Sequence, residues 1–181
     1  ERPKEATLLA AICRFLTDGV SEEARAALTD AVVPAPDNAA WQADRGLGLF
    51  LLGRADEARH DLEGLVASET GEAVAYGRLA ALELVAGNLN RAEELYREAI
   101  AREPGRAEWH SNFAGILVRQ QRLDEAVENY DIALDLKPDF ERARQARTRV
   151  LYALERTDEI VTRLETELGH DPEDPDARLR L

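Results

Sequence analysis

Cysteine, long apolar runs and net positive charge are what this chain of 181 residues lacks. Cys13 is its single cysteine, which excludes an intramolecular disulfide and a metal cage built from cysteines. Because no apolar run reaches the roughly 18 residues that a bilayer requires, the sequence predicts no membrane span. One cysteine does not fix the compartment: the location stays unknown, with the cytoplasm slightly favoured and the periplasm open.

Basic residues are outnumbered, with 23 Lys and Arg against 36 Asp and Glu and a net charge of −13 at pH 7. Since phosphate binding requires a basic face, this balance disfavours nucleic acids and anionic membrane surfaces as partners. Apolar residues make up 45% of the chain and charged residues 33%, which is typical of a folded, helix-rich protein and not of a disordered one. We interpret the acidic excess as a device for solubility.

Residues arranged for chemistry are also missing. The three histidines, His60, His110 and His170, fall on different predicted helices without the spacing of metal ligands. The glycines that begin at Gly46 do not form a dinucleotide fingerprint, and no nucleophile is paired with a base. The sequence therefore predicts no cofactor, no metal site and no enzymatic activity.

The chain does contain an internal sequence repeat of 34 residues. Ala24, Ala58, Ala92 and Ala126 recur every 34 residues. The same step relates further pairs: Ala80 with Ala114, Tyr96 with Tyr130, Ala99 with Ala133, and Pro104 with Pro138. A fixed period of this length, filled with helix-forming residues, is typical of a solenoid of helix pairs, for which binding is the default activity.

The period divides the chain into five repeats, each predicted to be an antiparallel pair of helices, A and B, within one domain over residues 1–181. The repeats cover residues 5–38, 39–72, 73–106, 107–140 and 141–174. Residues 175–181 are expected to open a further helix. Because the chain also begins at Glu1 without a methionine, we expect it to be a piece of a longer protein.

Helix boundaries are predicted in most detail for the third and fourth repeats. In the third, helix A runs from about Ala73 to Ala86, and helix B is capped by Asn90 and ends near Arg102. In the fourth, Asp124 is expected to cap helix B, and Pro138 to end it because proline cannot continue the hydrogen-bond ladder.

One residue conflicts with the apolar pattern. Arg45 falls at the position that Leu79 holds in the next repeat, which should be buried. Since burying an unpaired guanidinium is costly, we expect it to reach solvent or to pair with Asp56 or Asp61. Arg147 has the same phase in the last repeat. A local shift of the helix is the alternative explanation.

Residues of characteristic type stand at fixed places in the third and fourth repeats. They are Val74, Leu79, Ala80, Ala92, Tyr96, Ala99 and Pro104, and then Trp109, Phe113, Ala114, Leu117, Asp124, Glu125, Ala126, Tyr130, Ala133 and Pro138. In residue type and phase these repeats resemble the tetratricopeptide repeat, and the other three keep fewer of its residues. The resemblance implies an all-α, right-handed superhelix whose concave wall is built from the A helices.

The resemblance also implies which residues face inward, at the second, fifth, ninth and twelfth places of each repeat. The candidate wall residues are Ala43, Leu47, Phe50, Gly77, Ala81, Leu84, Ser111, Gly115, Val118, Gln145 and Tyr152. Small residues in the middle, with larger apolar ones beside them, indicate a groove for the apolar face of a helix or for an extended peptide. Two alternatives stay open: another helix of this chain fills the groove, or the larger side chains pack against the next repeat.

The last repeat adds a basic cluster. Arg142 and Arg149 occupy inward places and are candidates for binding an anionic group such as a carboxylate through forked hydrogen bonds. Arg144 and Arg147 lie on the same predicted helix. The alternative is a solvated face whose arginines pair with neighbouring acids, because helical spacing spreads the four over more than one side.

We therefore predict a scaffold or adapter that binds a protein or peptide in the concave groove. One alternative is the non-catalytic arm of a larger bacterial enzyme, of the glycosyltransferase, sulfotransferase or hydroxylase type. Another is self-association through the C-terminal end, where an uncapped repeat would expose apolar surface. Binding of chaperone tails is rejected, because Gly77, Ala81 and Ala146 lack the polar groups that this subset of the family uses to clamp a terminal carboxylate.

Overall fold

The structure is a computed structural model that describes residues 4–17, 21–33, 39–68 and 72–155. Within these ranges it contains nine α-helices and no strand, which confirms the all-α fold class. The helices are α1 (Lys4–Thr17), α2 (Glu22–Ala31), α3 (Ala39–Leu51), α4 (Ala55–Ala67), α5 (Ala73–Ala86), α6 (Leu89–Arg102), α7 (Ala107–Arg119), α8 (Leu123–Leu136) and α9 (Glu141–Ala153). None of these described helices combines the length and the apolar character that crossing a membrane requires.

The chain divides into two compact units, Glu1–Gly105 and Arg106–Leu181. In the first unit α1 packs with α2, α3 with α4 and α5 with α6, and α3 also contacts α1 and α5. In the second unit α8 packs against both α7 and α9. The odd-numbered helices thus correspond to the predicted A helices. The division into five repeats stays a prediction, because helix B of the fifth repeat and residues 175–181 lie outside the described residues.

The turn between α5 and α6 follows the prediction at one end and corrects it at the other. Helix α5 ends where the sequence indicates, at Gly87, whose φ of 85° lies in the left-handed region that favours glycine. The prediction that Asn90 caps α6 is wrong, because the N-cap residue is Asn88 and its side chain makes no capping hydrogen bond. The carbonyl of Asn88 already accepts a hydrogen bond from the amide of Ala92 at 3.0 Å, so the helix starts earlier than predicted.

The start of α8 requires the same correction. Asp124 was expected to be the cap, but the N-cap residue is Arg122, whose carbonyl accepts a hydrogen bond from the amide of Ala126 at 3.1 Å. Asp124 lies inside the first turn, where a carboxylate interacts favourably with the positive end of the helix dipole. The helix ends at Leu136, before Pro138, as predicted.

The periodic alanines lie in the core. Ala24, Ala58, Ala92 and Ala126 are each 0% exposed, which allows paired helices to approach closely. Gly48 in α3 allows another close approach, since a Cβ atom there would lie 2.7 Å from Cγ1 of Val32. These small residues are therefore packing devices.

Both out-of-pattern arginines pair with acids, which for Arg45 is one of the two outcomes that the sequence predicts. Arg45 forms an ion pair with Asp61, and its Nε donates a hydrogen bond to the carbonyl of Val32 at 2.9 Å. Burial, and then the nearby charge of Arg54, lower the pKa of Arg45. Arg147 is buried, and its Nε lies 2.6 Å from Oδ1 of Asp131. A polar pair thus replaces an apolar contact at this phase of the period.

Candidate partner-binding site

On α3, the candidate wall residues belong largely to the core. Ala43 is 1% exposed, so its side chain makes room without presenting surface to a partner. Leu47 and Phe50 are half-buried and pack against the core cluster that contains Leu49 and Leu82. This packing matches the alternative that the larger apolar side chains are used within the chain.

On α5, more of the candidate wall residues keep some surface. Gly77 is buried, whereas Ala81 and Leu84 are half-buried. Arg78, on the same helix, donates a hydrogen bond from Nη2 to Oδ1 of Asp44 on α3 at 3.0 Å. In the first compact unit the exposed part of the predicted wall is therefore small and apolar, and a charged pair joins its two helices.

The second compact unit contains a pocket of roughly 370 Å³ formed by α7, α8 and α9. The residues that line this α7–α9 pocket are Gly115, Val118, Arg119, Leu123, Tyr130, Ala146, Arg149, Val150 and Ala153. The sequence predicts three of them, Gly115, Val118 and Arg149, as binding residues. The volume of the α7–α9 pocket lies near the lower end of the range of ligand pockets, so the pocket can take one or two side chains of a partner.

The other candidates of the second unit lie outside this pocket. Ser111 is buried, and Tyr152 is 61% exposed. Gln145 donates a hydrogen bond from Nε2 to Oε1 of Glu141 at 2.8 Å. Arg142 donates one from Nη2 to Oδ1 of Asn112 at 2.7 Å. Of the two arginines proposed for an anionic group, only Arg149 lines the α7–α9 pocket.

Sequence reasoning missed the contribution of α8 to the pocket. Leu123 and Tyr130 line it from helix B, although the family resemblance assigns the binding wall to the A helices. The sequence predicts that Tyr130 is a core residue, since it stands one period after Tyr96. Tyr130 is indeed only 5% exposed. The one residue in the sequence that could have indicated this pocket is Gly115. It lies in the middle of a helix, and its missing side chain leaves space near the phenol of Tyr130.

The arginines of α9 differ in their partners. Arg144 bonds Oε2 of Glu141 at 2.6 Å and the carbonyl of Pro138 at 2.6 Å. Arg149 donates a hydrogen bond from Nε to the carbonyl of Gln145 at 3.3 Å, and no carboxylate of the described residues pairs with it. Its charge is therefore left beside the pocket.

His60 and His110, the two histidines within the described residues, lie on different helices, α4 and α7. His110 is buried, with Nδ1 3.4 Å from Oδ1 of Asn129. His60 is exposed, and His170 lies outside the described residues. Over the ranges that the structure describes, no three His, Cys, Asp or Glu side chains are grouped so that they could hold a metal ion.

Helix pairs with buried alanines at their contacts define a helical-repeat protein. The chain belongs to the tetratricopeptide repeat family, because the sequence profile described as "Tetratricopeptide repeat" matches residues 49–111 and 84–150. The resemblance noted from the third and fourth repeats is thereby confirmed. No curated protein sequence is significantly similar to the chain.

Solved structures show the same fold. MamA is 21% identical, with a TM-score of 0.66 over 91% of this chain and 96% of its own. The first TPR of Spaghetti (RPAP3), solved with the HSP90 peptide SRMEEVD, is 21% identical, with a TM-score of 0.61 over 65% of this chain and 93% of its own. The human IFIT1 dimer with m7Gppp-AAAA is 17% identical, with a TM-score of 0.75 over 91% of this chain and 41% of its own.

Proposed function

We propose that this chain is a protein-interaction scaffold that binds a peptide or a helix of a partner protein along its A helices. The observation that carries this proposal is the α7–α9 pocket, which is solvent-accessible, largely apolar and lined by residues of three helices. Apolar pockets with a few polar groups at fixed positions are typical ligand sites. The RPAP3 structure, in which a related fold is bound to a peptide, supports the same class of ligand.

The candidate wall residues and the two arginines take different parts in this proposal. Leu84 and Val118 offer half-buried apolar surface, each within its own compact unit. Ala43, Gly77 and Ser111 act by leaving space, since all three are buried. Arg142 and Arg149 are proposed to attract an anionic group of the ligand.

A protein ligand is favoured over a nucleic acid. Human IFIT1 was solved with m7Gppp-AAAA, but the present chain carries a net charge of −13, which repels a phosphate backbone. An interaction dominated by apolar contacts and a few charged groups does not require a basic face. The charge therefore supports a peptide or protein partner.

The proposal is tested by selecting from a displayed library of random peptides with the wild-type chain and with Leu84→Glu/Val118→Glu. We expect the variant to keep its helical circular dichroism and to lose the selected peptides, because a charge on this apolar surface opposes burial. Ile132→Glu/Leu136→Glu is the matched control, since both side chains are exposed on α8, at 42% and 44%. Equal retention of the peptides by the folded Leu84→Glu/Val118→Glu variant would contradict the proposal.

Self-association through the C-terminal end is a separate proposal, for which the exposed aromatic side chain of Tyr152 on α9 offers apolar surface. It predicts a sedimentation coefficient that rises with protein concentration. A constant coefficient over the whole range would exclude it.

A further inference from the structure

The phenol of Tyr130 is a hydrogen-bond donor at the α7–α9 pocket that the described part of the chain leaves unused. Tyr130 is 5% exposed and lines the α7–α9 pocket, and no hydrogen bond to its oxygen is formed by any described residue. Burial raises its pKa, and the charges of Arg142 and Arg149 oppose this increase only in part. The hydroxyl is therefore protonated at neutral pH and able to donate. Because the phenol lines a solvent-accessible pocket and no described residue bonds it, its hydroxyl is available to a ligand group that accepts a hydrogen bond.

Gly115 keeps the phenol accessible. A Cβ atom at this position would lie 3.9 Å from the Tyr130 oxygen, in ordinary van der Waals contact. A glycine in the middle of a helix costs stability relative to alanine, and here no close backbone approach requires it. The space that it leaves is therefore best explained by an occupant of the pocket.

Arg149 supplies the charge beside this donor. It also lines the pocket, and no carboxylate of the described residues neutralises it. A protonated phenol and a guanidinium both donate hydrogen bonds, so the ligand group must be an acceptor. Two donors, one of them positively charged, favour a carboxylate over a neutral carbonyl.

The rest of the lining determines what surrounds that carboxylate. Val118 comes from α7, Leu123 from α8 and Val150 from α9, so apolar side chains reach the pocket from all three helices. A ligand with apolar groups next to its carboxylate would bury them there. An acid inside a chain can bring an apolar neighbour from each side, whereas a terminal acid brings one from one side only, so a lining that is apolar on all three helices favours an internal acid.

We infer that the α7–α9 pocket recognises an internal glutamate or aspartate side chain flanked by large apolar residues in a partner protein. The carboxylate accepts hydrogen bonds from the Tyr130 hydroxyl and the Arg149 guanidinium, and the flanking residues contact Val118, Leu123 and Val150. This inference rests on the proposed function and adds the chemistry of the ligand. It assigns the hydrogen bonds to Arg149 and to Tyr130 of helix B, whereas Arg142, which does not line the pocket, contributes only the attraction of its charge.

The test uses peptides selected by the wild-type chain, synthesised with amidated C-termini. The expected sequences contain an acid beside a large apolar residue. Replacing that acid by its amide should weaken binding to the wild type about tenfold in fluorescence anisotropy, because a hydrogen bond to a charged group is lost. Tyr130→Phe and Arg149→Gln should each weaken binding of the acidic peptide about tenfold, and should bind the amide peptide almost as well as the acidic one.

Arg144→Gln is the matched control, because it removes the same charge from α9 at a residue held by Glu141. Three results would overturn the inference: an amide peptide that binds the wild type as tightly as the acid, an Arg144→Gln effect equal to that of Arg149→Gln, or an affinity that depends on a free terminal carboxylate. Selected peptides without an acid, lost nevertheless with Leu84→Glu/Val118→Glu, would refute the inference and keep the proposed function. Failure to select any peptide would count against both.

Discussion

Glu83 illustrates how a buried charge is accommodated in the first compact unit. It lies on α5 and is 5% exposed. Its carboxylate accepts hydrogen bonds from Nε of Arg59 on α4 at 2.8 Å and from Nδ2 of Asn88 at 2.5 Å. Burial alone would raise the pKa of Glu83, but the hydrogen bonds from Arg59 and Asn88 lower it by more. The carboxylate is thus ionised, and it joins α4, α5 and the turn that follows α5.

Replacing Glu83 by glutamine should destabilise the chain by about 1–3 kcal/mol, because hydrogen bonds to a charged group are weakened in a buried place. Since the folded pKa of Glu83 is below the unfolded value of about 4.3, its stabilisation is complete above that value and is lost as the pH falls through the folded pKa. The free energies of unfolding of wild type and Glu83→Gln, measured in urea, should therefore differ at neutral pH and become more similar at acidic pH. Glu94→Gln, at an exposed pair with Arg91, is the control, and equal stability of wild type and Glu83→Gln at pH 7 would contradict the account.

Glycine-to-alanine substitutions should act in opposite directions at two helical positions. Gly48→Ala should cost about 1–3 kcal/mol, since the new methyl group would overlap Cγ1 of Val32 at 2.7 Å. Gly64→Ala should stabilise by about 0.5–1 kcal/mol, because nothing lies within 4 Å and alanine favours the helix. Chemical denaturation measures both changes. If Gly48→Ala increased the free energy of unfolding, α3 could not lie as close to Val32 as the structure shows.

At the scale of elements, the contacts between paired helices depend on their buried alanines. Ala92 in α6 and Ala126 in α8 are 0% exposed. Ala92→Leu or Ala126→Leu should overpack a contact and lower the free energy of unfolding by about 1–3 kcal/mol. Ala101→Leu, at an exposed position of α6, should change it by less than about 0.5 kcal/mol. If the three variants unfolded at the same denaturant concentration, the assignment of Ala92 and Ala126 to the contacts between paired helices would be wrong.

The helices could be predicted from the sequence because their signals are local and repeated. Gly87 ends α5 where only a left-handed conformation closes the turn, and the buried face of each helix follows the alanine period. The caps at Asn90 and Asp124 could not be predicted, because whether a side chain reaches a free amide depends on where the preceding turn closes. At both places a backbone carbonyl two residues upstream begins the helix.

The candidate site could be predicted only in part for a related reason. The period places Gly115, Val118 and Arg149 on the A helices, and the structure brings them to one pocket. It does not distinguish Tyr130, which lines that pocket, from Tyr96, which is 0% exposed at the equivalent place. That difference depends on the space left by neighbouring helices, which no single position in the sequence encodes. For the same reason, the packing of Leu47 and Phe50 against the core could not be decided in advance.

At the scale of the whole molecule, the two compact units should unfold separately. Each contains one tryptophan, Trp41 in the first and Trp109 in the second, and both are buried. Helical repeats are stabilised by contacts with their neighbours, so cooperativity is limited over long arrays. Trp41→Phe and Trp109→Phe leave one reporter each, and their urea curves, followed by fluorescence, should have different midpoints. Circular dichroism of both variants controls for the substitutions themselves, and superimposed fluorescence curves would show a single cooperative body.

We propose that partners bind on the A helices, and the α7–α9 pocket is the best-defined part of this site. The most direct measurement is the change in amide chemical shifts when a selected peptide is added to the isotope-labelled chain. Within residues 106–155, we expect the largest chemical-shift changes at Gly115, Val118 and Arg149 and their neighbours. Changes centred on Ile132 and Leu136, with none at the pocket, would contradict the proposal.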